Sequence, residues 1–561
     1  MIDNLKLKFG SSADKPNLEV DLTPITLFVG PNNSGKSRIL IEIENYCRRF
    51  HGQPNDLIID IINFTPFTRS EIEGDLSKIE QKPNLGEELY PNHIIIGKVS
   101  TQENKAKRQQ VNKEAIIREA LNLNKDAVYF KYFLDLVTVR LDGTSRLNLL
   151  LEQNAGDLQS TPQNHLSHLF INNELLREVR RIIFEAFGKY YVIDPTNIGK
   201  LRVRLSDREP HNEREEKGWD AESIKFHKEA LEITNASDGV RAFSGIITTL
   251  LAGDPKITLI DEPEAFLHPA LANKLGKEIG KSLRNTKKRL FVSTHSSNFL
   301  MGCIQSGSPI NIVRLTYKNN IATARILPKD KILHLMRHPL LRSTGVLNGL
   351  FFESVVVCEA DSDRAFYQEI NERLLSESDN RGINNCLFIN AQNKQTVWEI
   401  VKPLRELGIP TIGIVDIDVL KEGGKVFAKP LEGAFVPFLN HASFQNQRGI
   451  LLNAFEESRK NMKREGGIDI LIGSDKEACE NFFEQLKEYG IFIVKQGELE
   501  SWLKSLGANG HGPSWLIEIF SLMGDNPNVV EYIKPSTGDV WDFIGQIKSW
   551  IENSKRKGIP E

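Results

Sequence analysis

The sequence predicts an α/β protein built from two successive parts, each with its own parallel sheet. In the first part, an apolar strand at 25–29 runs into a glycine-rich loop and then a helix-like run at 38–43. Two more apolar runs, 257–261 and 289–294, have the length of buried strands and end in polar residues. Beyond Gly345, strands and helices alternate again, which predicts a second, smaller parallel sheet.

The glycine-rich loop at residues 30–37 reads Gly-Pro-Asn-Asn-Ser-Gly-Lys-Ser and has the spacing of a phosphate-binding P-loop. Glycines let backbone N–H groups surround the β- and γ-phosphates at a helix N-terminus. The lysine then reaches the phosphates, and the serine hydroxyl ligates Mg²⁺. The loop predicts binding of ATP and Mg²⁺ by Gly30, Asn33, Gly35, Lys36 and Ser37.

Two acids end the strand at 257–261, in the sequence Asp261-Glu262-Pro263-Glu264. We expect Asp261 to lie beside the P-loop and hold Mg²⁺, while Glu262 polarises the attacking water. A third strand ends about thirty residues later at His295, which we interpret as the switch that contacts the γ-phosphate.

A Ser-Asp-Gly sequence at 237–239 starts an apolar helix, where Ser237 and Gly239 offer a hydroxyl and unpaired N–H groups to an anion. The order of these motifs resembles the ATP-binding-cassette class, particularly its RecF-like and SMC-like ATPases. The resemblance implies ATP sandwiched between two subunits by the signature serine. The Leu-Ser-Gly-Gly-Gln signature of transporters is missing. Residues of about 75–225 show few strand signals and are predicted to be a helical or loop-rich insertion.

Carboxylates follow the strands of the second part. Glu359 ends the first of these strands, Asp363 lies one helical turn further on, and Asp416 and Asp418 end the third strand. The carboxyl ends of parallel strands meet at one edge of a sheet, and a spacing of two residues points both aspartates to the same side. Clustered carboxylates repel one another unless a cation neutralises them, so the pattern predicts Mg²⁺ or Mn²⁺.

The Glu-x-x-x-Asp and Asp-x-Asp pattern resembles the Toprim domain of topoisomerases, primases and certain nucleases. Toprim domains have glycine after the glutamate, and this chain has Ala360. The resemblance also implies a metal-ligating glutamate after the strand near 490–495, which by position is Glu500. Lys394 and Lys495 are predicted to contact phosphate.

A cassette-type ATPase followed by a Toprim domain resembles the OLD (overcoming lysogenization defect) nuclease family. The resemblance implies an ATPase domain over 1–345 and a Toprim nuclease domain with a C-terminal extension over 346–561. It also implies a metal-dependent DNA endonuclease, controlled by ATP, that acts in bacterial antiphage defence with Glu262, Glu359, Asp416 and Asp418 as catalytic residues. Relatives form dimers or larger assemblies, and work beside a helicase-like partner or a reverse transcriptase with its retron DNA.

Three alternatives stay open. A RecF-like repair or scaffold ATPase has a Toprim-like half that binds nucleic acid without cutting it, and Ala360 favours this alternative. An RNA- or tRNA-cutting Toprim effector uses the same metal chemistry. A topoisomerase or primase function has the weakest support, since the sequence shows neither a Cys-rich zinc module nor a strand-passage domain.

The composition of the chain limits how it can bind nucleic acid and in which cellular compartment we expect it. The net charge of −3 means that local basic patches have to hold a nucleic acid. No apolar run approaches the roughly 20 residues of a membrane span, and the first residues do not resemble a signal peptide. The five scattered cysteines have no metal-ligand spacing, which favours reduced thiols in a cytoplasmic protein.

Overall fold

The computed structural model describes residues 1–49, 52–65, 68–83, 86–98, 107–121, 134–159, 162, 164–318, 320–337 and 345–560. Two compact units make up the chain, Met1–Lys329 and Asp330–Glu561. None of the helices in these ranges is both long and apolar enough to cross a membrane.

The first unit mixes strands and helices. Its strands are β1 (Ile2–Leu7), β2 (Glu19–Asp21), β3 (Ile25–Val29), β4 (Ile59–Phe64), β5 (Glu80–Gln81), β6 (His93–Lys98), β7 (Lys107–Asn112), β8 (Thr138–Leu141), β9 (Gln153–Asn154), β10 (Tyr190–Asp194), β11 (Lys200–Ser206), β12 (Leu231–Glu232), β13 (Ile257–Asp261), β14 (Arg289–Ser293), β15 (Ile310–Lys318) and β16 (Ile321–Ile326). Its helices are α1 (Lys36–Arg49), α2 (Arg69–Ile79), α3 (Lys113–Leu121), α4 (Ser145–Asn148), α5 (His165–Ile171), α6 (Asn173–Phe187), α7 (Glu213–Lys217), α8 (Ala221–Glu229), α9 (Asp238–Ala252), α10 (Pro269–Leu283) and α11 (Ser297–Gln305).

The main sheet of the first unit has the strand order β16-β15-β3-β14-β13-β8. All neighbours pair in parallel except β15 and β16. Every residue of β3 is buried, as the predicted run of apolar residues requires of a central strand. The parallel order brings the carboxyl ends of β3, β13 and β14 to one edge, and the strands predicted at 25–29, 257–261 and 289–294 are confirmed.

The region predicted as a helical insertion contains strands as well as helices. It includes β8, which is a strand of the main sheet, and strands of two antiparallel sheets ordered β5-β6-β7 and β10-β11-β12. In some of these strands charged residues interrupt the apolar pattern and weaken its signal. In β11, Lys200, Arg202 and Arg204 alternate with buried Leu201 and Val203.

The second unit has a small parallel sheet covered by helices. Its elements are α12 (Lys329–Arg337, which begins at the boundary), β17 (Ser354–Cys358), α13 (Asp361–Ser376), β18 (Cys386–Asn390), α14 (Lys394–Glu406), β19 (Thr411–Asp416), α15 (Gly424–Gly433), α16 (Phe438–Glu457), α17 (Gly473–Lys487), β20 (Ile491–Val494), α18 (Pro513–Met523) and α19 (Asp539–Glu552). The strand order is β18-β17-β19-β20, and all three pairs are parallel. The predicted alternation of strands and helices is confirmed.

A fully buried arginine joins the parts of the second unit. The Arg405 guanidinium on α14 donates hydrogen bonds to the carbonyl oxygens of Thr411, Ala434, Tyr489 and Gly558 at 2.8–3.0 Å. Burial lowers its pKa to about 9. Because these carbonyls come from four segments, this side chain fixes the C-terminal extension against the sheet.

Candidate functional sites

The P-loop joins β3 to α1 in a conformation that needs glycine. Gly30 has a φ of 143°, and a Cβ added there would lie 2.0 Å from the Leu315 carbonyl oxygen. Gly35 has a φ of 93°, in the region that L side chains rarely adopt. Asn33 has a φ of 60°, which asparagine tolerates better than most residues. The sequence Gly-x₄-Gly therefore fixes the loop backbone.

Lys36 is folded back onto this loop. Its Nζ donates hydrogen bonds to the carbonyl oxygens of Gly30 at 2.9 Å and Pro31 at 2.6 Å. Burial lowers the pKa of Lys36 to about 8 against the opposing effect of the nearby acids Glu262 and Asp261. The ammonium thus lies inside the loop that the sequence assigns to phosphate.

A hydroxyl at the start of α1 and a carboxylate at the end of β13 form a pair of groups that suits a cation. The Ser37 hydroxyl donates to Asp261 Oδ1 at 2.9 Å, and the Ser293 hydroxyl bonds the same oxygen. Ser37 and Asp261 are 224 residues apart in the chain, and the sheet brings them together. A hydroxyl beside a carboxylate is the usual P-loop ligand pair for Mg²⁺.

Glu262 and His295 lie at neighbouring strand ends. His295 Nε2 is 3.5 Å from Glu262 Oε1, and the Glu262 side chain is 49% exposed. Burial, and then the charge of Lys36, lower the pKa of His295. Glu264 Oε1 accepts a 2.7 Å bond from the His295 backbone N–H. The structure thus gathers Lys36, Asp261, Glu262 and His295 at one edge of the sheet.

Arg146 belongs to this site and was missed by the sequence reasoning. It lies on α4 and is 2% exposed. Its guanidinium donates to the backbone carbonyl oxygens of Asp142 at 3.0 Å and of Glu262. Glu262 has a φ of 49°, an unfavourable conformation for glutamate. The Arg146 bond holds the residue that we expect to act on water. The Asp142-Gly143 turn after β8 was the available sequence signal.

The Ser-Asp-Gly sequence lies at the start of α9. Ser237 is the N-cap residue by backbone conformation, yet its hydroxyl makes no capping hydrogen bond. A Cβ added at Gly239 would lie 2.6 Å from the Phe266 carbonyl oxygen, so this close approach requires glycine. The geometry leaves the Ser237 hydroxyl available to a ligand.

In the second unit, three of the predicted carboxylates converge. Glu359, Asp416 and Asp418 each place an oxygen so that the three atoms lie within 4.8 Å of one another. Glu359 follows β17 and Asp416 ends β19, its neighbour in the sheet. Glu359 Oε1 accepts a 3.0 Å bond from the Asp416 backbone N–H, which fixes the glutamate at the sheet edge.

Burial sets the charge of this carboxylate cluster. Desolvation, followed by repulsion from Asp416, raises the pKa of Glu359 to about 8. The same two causes raise the pKa of Asp363 to about 7. Burial also raises the pKa of Asp416. Such groups ionise more readily when a cation is bound among them.

Ala360 fits the turn that normally has glycine. Its φ of −125° and ψ of 173° are extended, so a side chain adds no backbone strain. Its backbone N–H donates to Asp363 Oδ2 at 2.8 Å, and this bond starts α13. Alanine is therefore compatible with the geometry of the loop.

Lys463 is a second residue that sequence reasoning missed. Its Nζ is 2.8 Å from Asp416 Oδ2, 3.9 Å from Asp418 Oδ2 and 3.8 Å from Glu498 Oε2. It lies in a basic segment between α16 and α17 that shows no motif. Of the two lysines predicted to contact phosphate, Lys394 pairs with Asp418 at 3.4 Å, whereas Lys495 pairs with Glu484 at 3.1 Å.

Glu500 belongs to a different group of side chains. Its carboxylate joins Glu498 and His511, and one ligand atom of each lies within 4.8 Å of the others. Its charge contributes to the raised pKa values of Asp363 and Asp416. We call this group the Glu-His cluster. The sequence predicted a role for Glu500 but not for its two neighbours.

Two family models match the chain. Residues 25–301 match the model described as "AAA domain, putative AbiEii toxin, Type IV TA system". Residues 350–418 match the model described as "Overcoming lysogenization defect protein-like, TOPRIM domain". The second match includes Glu359, Asp363, Asp416 and Asp418.

One curated relative and several solved structures are similar to the chain. The Old nuclease of Escherichia phage P2 is 24% identical over 261 residues, which are 44% of this chain and 43% of that protein. The chain thus matches less than half of the length of this relative. The SMC head domain from Thermotoga maritima is 14% identical with a TM-score of 0.28, covering 58% of this chain and 99% of that one. The SmcHead bound to the C-winged helix domain of ScpA is 14% identical with a TM-score of 0.33, covering 59% and 99%.

The class of protein follows from the family models and the two sheets: a P-loop ATPase domain is joined in one chain to a Toprim domain. The Toprim domain is of the OLD-like type. The resemblance to the overcoming lysogenization defect family that the sequence motifs predicted is thereby confirmed.

Proposed function

We propose that this chain is an ATP-regulated, divalent-metal-dependent endonuclease that hydrolyses DNA phosphodiester bonds in bacterial antiphage defence. The observation that carries the proposal is the convergence of Glu359, Asp416 and Asp418 at the carboxyl edge of the second sheet. The similarity to a protein named Old nuclease supports the same activity.

The donor set of the carboxylate cluster fits Mg²⁺ or Mn²⁺. All three groups offer oxygen, which hard divalent cations prefer. Asp418 Oδ1 is buried and accepts no hydrogen bond from the described residues. An oriented, buried oxygen of this kind costs free energy unless a cation or a donor pairs with it.

Different residues of the second unit have different proposed roles in cleavage. A divalent ion bound at the cluster supplies Lewis-acid activation of the phosphodiester and lowers the pKa of water. Glu359, Asp416 and Asp418 would hold that ion, and Asp363 and Glu500 are further proposed ligands. Lys463, whose Nζ is 2.8 Å from Asp416 Oδ2, balances the charge of that carboxylate and would offer a donor to a phosphate oxygen.

ATP binding is proposed to control the cut. Lys36, Ser37 and Asp261 hold Mg·ATP, Glu262 polarises the attacking water, and His295 contacts the γ-phosphate. Gly30, Asn33 and Gly35 shape the loop, while Ser237 and Gly239 reach the ATP of a second copy. The proposed assembly is therefore a homodimer or larger. The two ATPase domains close on each other when ATP is bound and separate when it is not. This difference between the two states would regulate access of DNA to the Toprim domain.

Nicking of supercoiled plasmid DNA tests the proposal. Wild-type protein with Mg²⁺ or Mn²⁺ and ATP should nick DNA, and Glu359→Gln and Asp416→Asn should lose nicking at least 100-fold. Asp361→Asn is the matched control, because Asp361 is an exposed acid of the same loop that pairs with Arg364. It should retain activity.

The alternatives give different results in the same assay. DNA binding by wild type without cleavage at any metal concentration contradicts the proposal and favours a RecF-like scaffold ATPase. Cleavage of RNA or tRNA but not DNA favours an RNA-cutting Toprim effector. The proposed partners, a helicase-like protein or a reverse transcriptase with retron DNA, rest on the resemblance, and the neighbouring genes distinguish them.

A further inference from the structure

A cavity lies at the amino edge of the main sheet, remote from the P-loop. Its volume is about 940 Å³, within the roughly 300–1,000 Å³ of small-molecule sites. Lys256, which precedes β13, lines the cavity, whereas Asp261 at the other end of this strand belongs to the P-loop site. The five residues of β13, at about 3.3 Å each, separate the two places by about 16 Å. The cavity is therefore of ligand size and distinct from the nucleotide site.

One face of α2 forms a wall of this cavity. Several residues of the helix line the cavity at spacings of three and four, which places them on one side of the helix: Glu71, Gly74, Asp75 and Lys78. A Cβ added at Gly74 would come within 4 Å of no described atom beyond its own part of the helix. The centre of this face is thus open space into which a larger side chain can extend.

Apolar side chains form another part of the wall. Ile79, Val137 and Ala252 line the cavity and are at most 9% exposed. His168 lines it too, and its Nδ1 bonds the Ala252 carbonyl oxygen at 2.7 Å. In a neutral imidazole this bond places the proton on Nδ1 and leaves Nε2 as an acceptor. This wall can therefore receive an apolar ring together with a group that donates a hydrogen bond.

The charged side chains around the cavity carry an excess of positive charge. Five lysines and arginines line it against three acids. Each acid is paired with a lysine, namely Asp75 with Lys256, Glu71 with Lys287 and Asp254 with Lys288. Lys78 and Arg289 are the two cations that remain. The Lys78 side chain makes neither a hydrogen bond nor an ion pair within the described ranges.

Arg289 is half-buried and has no acidic partner among the described residues. Its Nε donates to the Ile2 carbonyl oxygen at 2.9 Å, and its Nη1 donates to that of Lys288 at 3.5 Å. The charge of Asp3 acts on the guanidinium from a distance without forming an ion pair with it. Carbonyl dipoles alone therefore contact this charge. An anion in the cavity would supply a counter-charge through charge-assisted hydrogen bonds.

We propose that this cavity binds an organic phosphate of the size of a nucleoside monophosphate. Arg289 and Lys78 supply the cations for the phosphate, the apolar wall receives the ring, and His168 accepts a hydrogen bond from a sugar hydroxyl. The volume exceeds that of an inorganic anion, which is why the ligand is organic. The proposal is independent of the nuclease function, because none of these residues belongs to the P-loop or to the carboxylate cluster.

Equilibrium dialysis of the full-length protein in EDTA with radiolabelled AMP, GMP, CMP or UMP tests the site. At least one of these monophosphates should bind at one equivalent per chain. Binding should persist in Lys36→Met, because the P-loop holds β- and γ-phosphates that a monophosphate lacks. The corresponding nucleoside, which has no phosphate, should bind at least about 10-fold more weakly.

Two pairs of variants locate the ligand. Gly74→Leu should abolish binding by filling the cavity, whereas Gly74→Ala, which adds only a methyl group, should bind as wild type does. Both substitutions favour the helix, so α2 should stay folded. Lys78→Met should weaken binding at least about 10-fold, and Arg289→Gln should do the same. Lys225→Met is the matched control, since Lys225 is an exposed lysine of α8 outside the cavity, and it should bind normally.

Absence of binding by all four monophosphates would overturn the proposal. So would binding that Lys36→Met loses and Gly74→Leu retains, because the ligand would then lie in the P-loop. Nicking activity does not enter this test, so failure of the nuclease proposal and failure of this one are distinguishable.

Discussion

Replacing Glu359 by glutamine should remove a large part of the pH dependence of stability in the metal-free second unit. Burial and repulsion from Asp416 raise the pKa of Glu359 to about 8, whereas a glutamate in an unfolded chain titrates near ~4.3. Between these values the unfolded state has released the proton that the folded state retains. Rising pH therefore favours unfolding across this window, and the effect levels off above pH 8.

The magnitude follows from the shift. Each pH unit inside the window costs about 1.36 kcal/mol, so stability falls by roughly 3 kcal/mol between about pH 5.5 and pH 8 through this one group. For a unit the size of Asp330–Glu561, this loss corresponds to a fall in Tm of about 6–12 °C. Glutamine cannot ionise, and its Oε1 still accepts the bond from the Asp416 backbone N–H.

Calorimetry of wild type and Glu359→Gln from pH 5.5 to 8.5 in EDTA measures the difference. Saturating Mg²⁺ or Mn²⁺ should restore the wild-type Tm at pH 8 and have a smaller effect on the variant. Asp361→Asn serves as the control, because a hydrogen bond from Arg364 lowers the pKa of Asp361. Equal pH slopes in wild type and Glu359→Gln would refute the reasoning.

Three more predictions follow from single side chains. Lys36→Met should reduce ATP hydrolysis at least ~100-fold, measured as phosphate release, because it removes the cation of the P-loop. Arg146→Ala should lower kcat for ATP about 10–100-fold with KM little changed, since the carbonyl of Glu262 loses a charged donor, and Arg146→Lys should recover part of the loss. A large rise in KM alone would contradict this role. Arg405→Met should destabilise the second unit by at least ~3 kcal/mol in calorimetry, because four carbonyls lose a donor and three of these hydrogen bonds are buried. Lys402→Met, at an exposed position of the same helix, should be near neutral.

The parts of the fold that the sequence predicted are those with continuous apolar runs. β3, β13 and β17 are buried along nearly their whole length, so their composition indicates a central strand without any context. β8 has four residues, one of which is Arg140, and its place in the main sheet depends on pairing with β13, a strand more than a hundred residues later. The residues of β8 alone therefore do not predict that it pairs with β13.

The site residues at strand ends could be predicted from the sequence, whereas those in loops could not. Acids at strand ends could be placed together because parallel pairing fixes where strands end, and Glu359, Asp416 and Asp418 do meet. Lys463 and His511 come from loops that reach the clusters only through the packing of helices. No spacing within those segments predicts their neighbours. Ala360 departs from the glycine of Toprim domains, and its extended backbone shows that the turn does not need glycine.

Both units hold their acids at the ends of parallel strands and place a lysine side chain beside them. Parallel register holds Asp261 at the end of β13 and Asp416 at the end of β19, so ligand binding requires no movement of the strands. Lys36 bonds the carbonyls of its own loop, and Lys463 lies at 2.8 Å from Asp416. A buried carboxylate needs a positive partner, and a long, flexible side chain provides one that a cation can replace at the cost of rotamer changes. Within each site the parallel strands supply a rigid frame, so the local rearrangement on binding falls on the lysine side chain, which favours tight and selective binding of ions and phosphates.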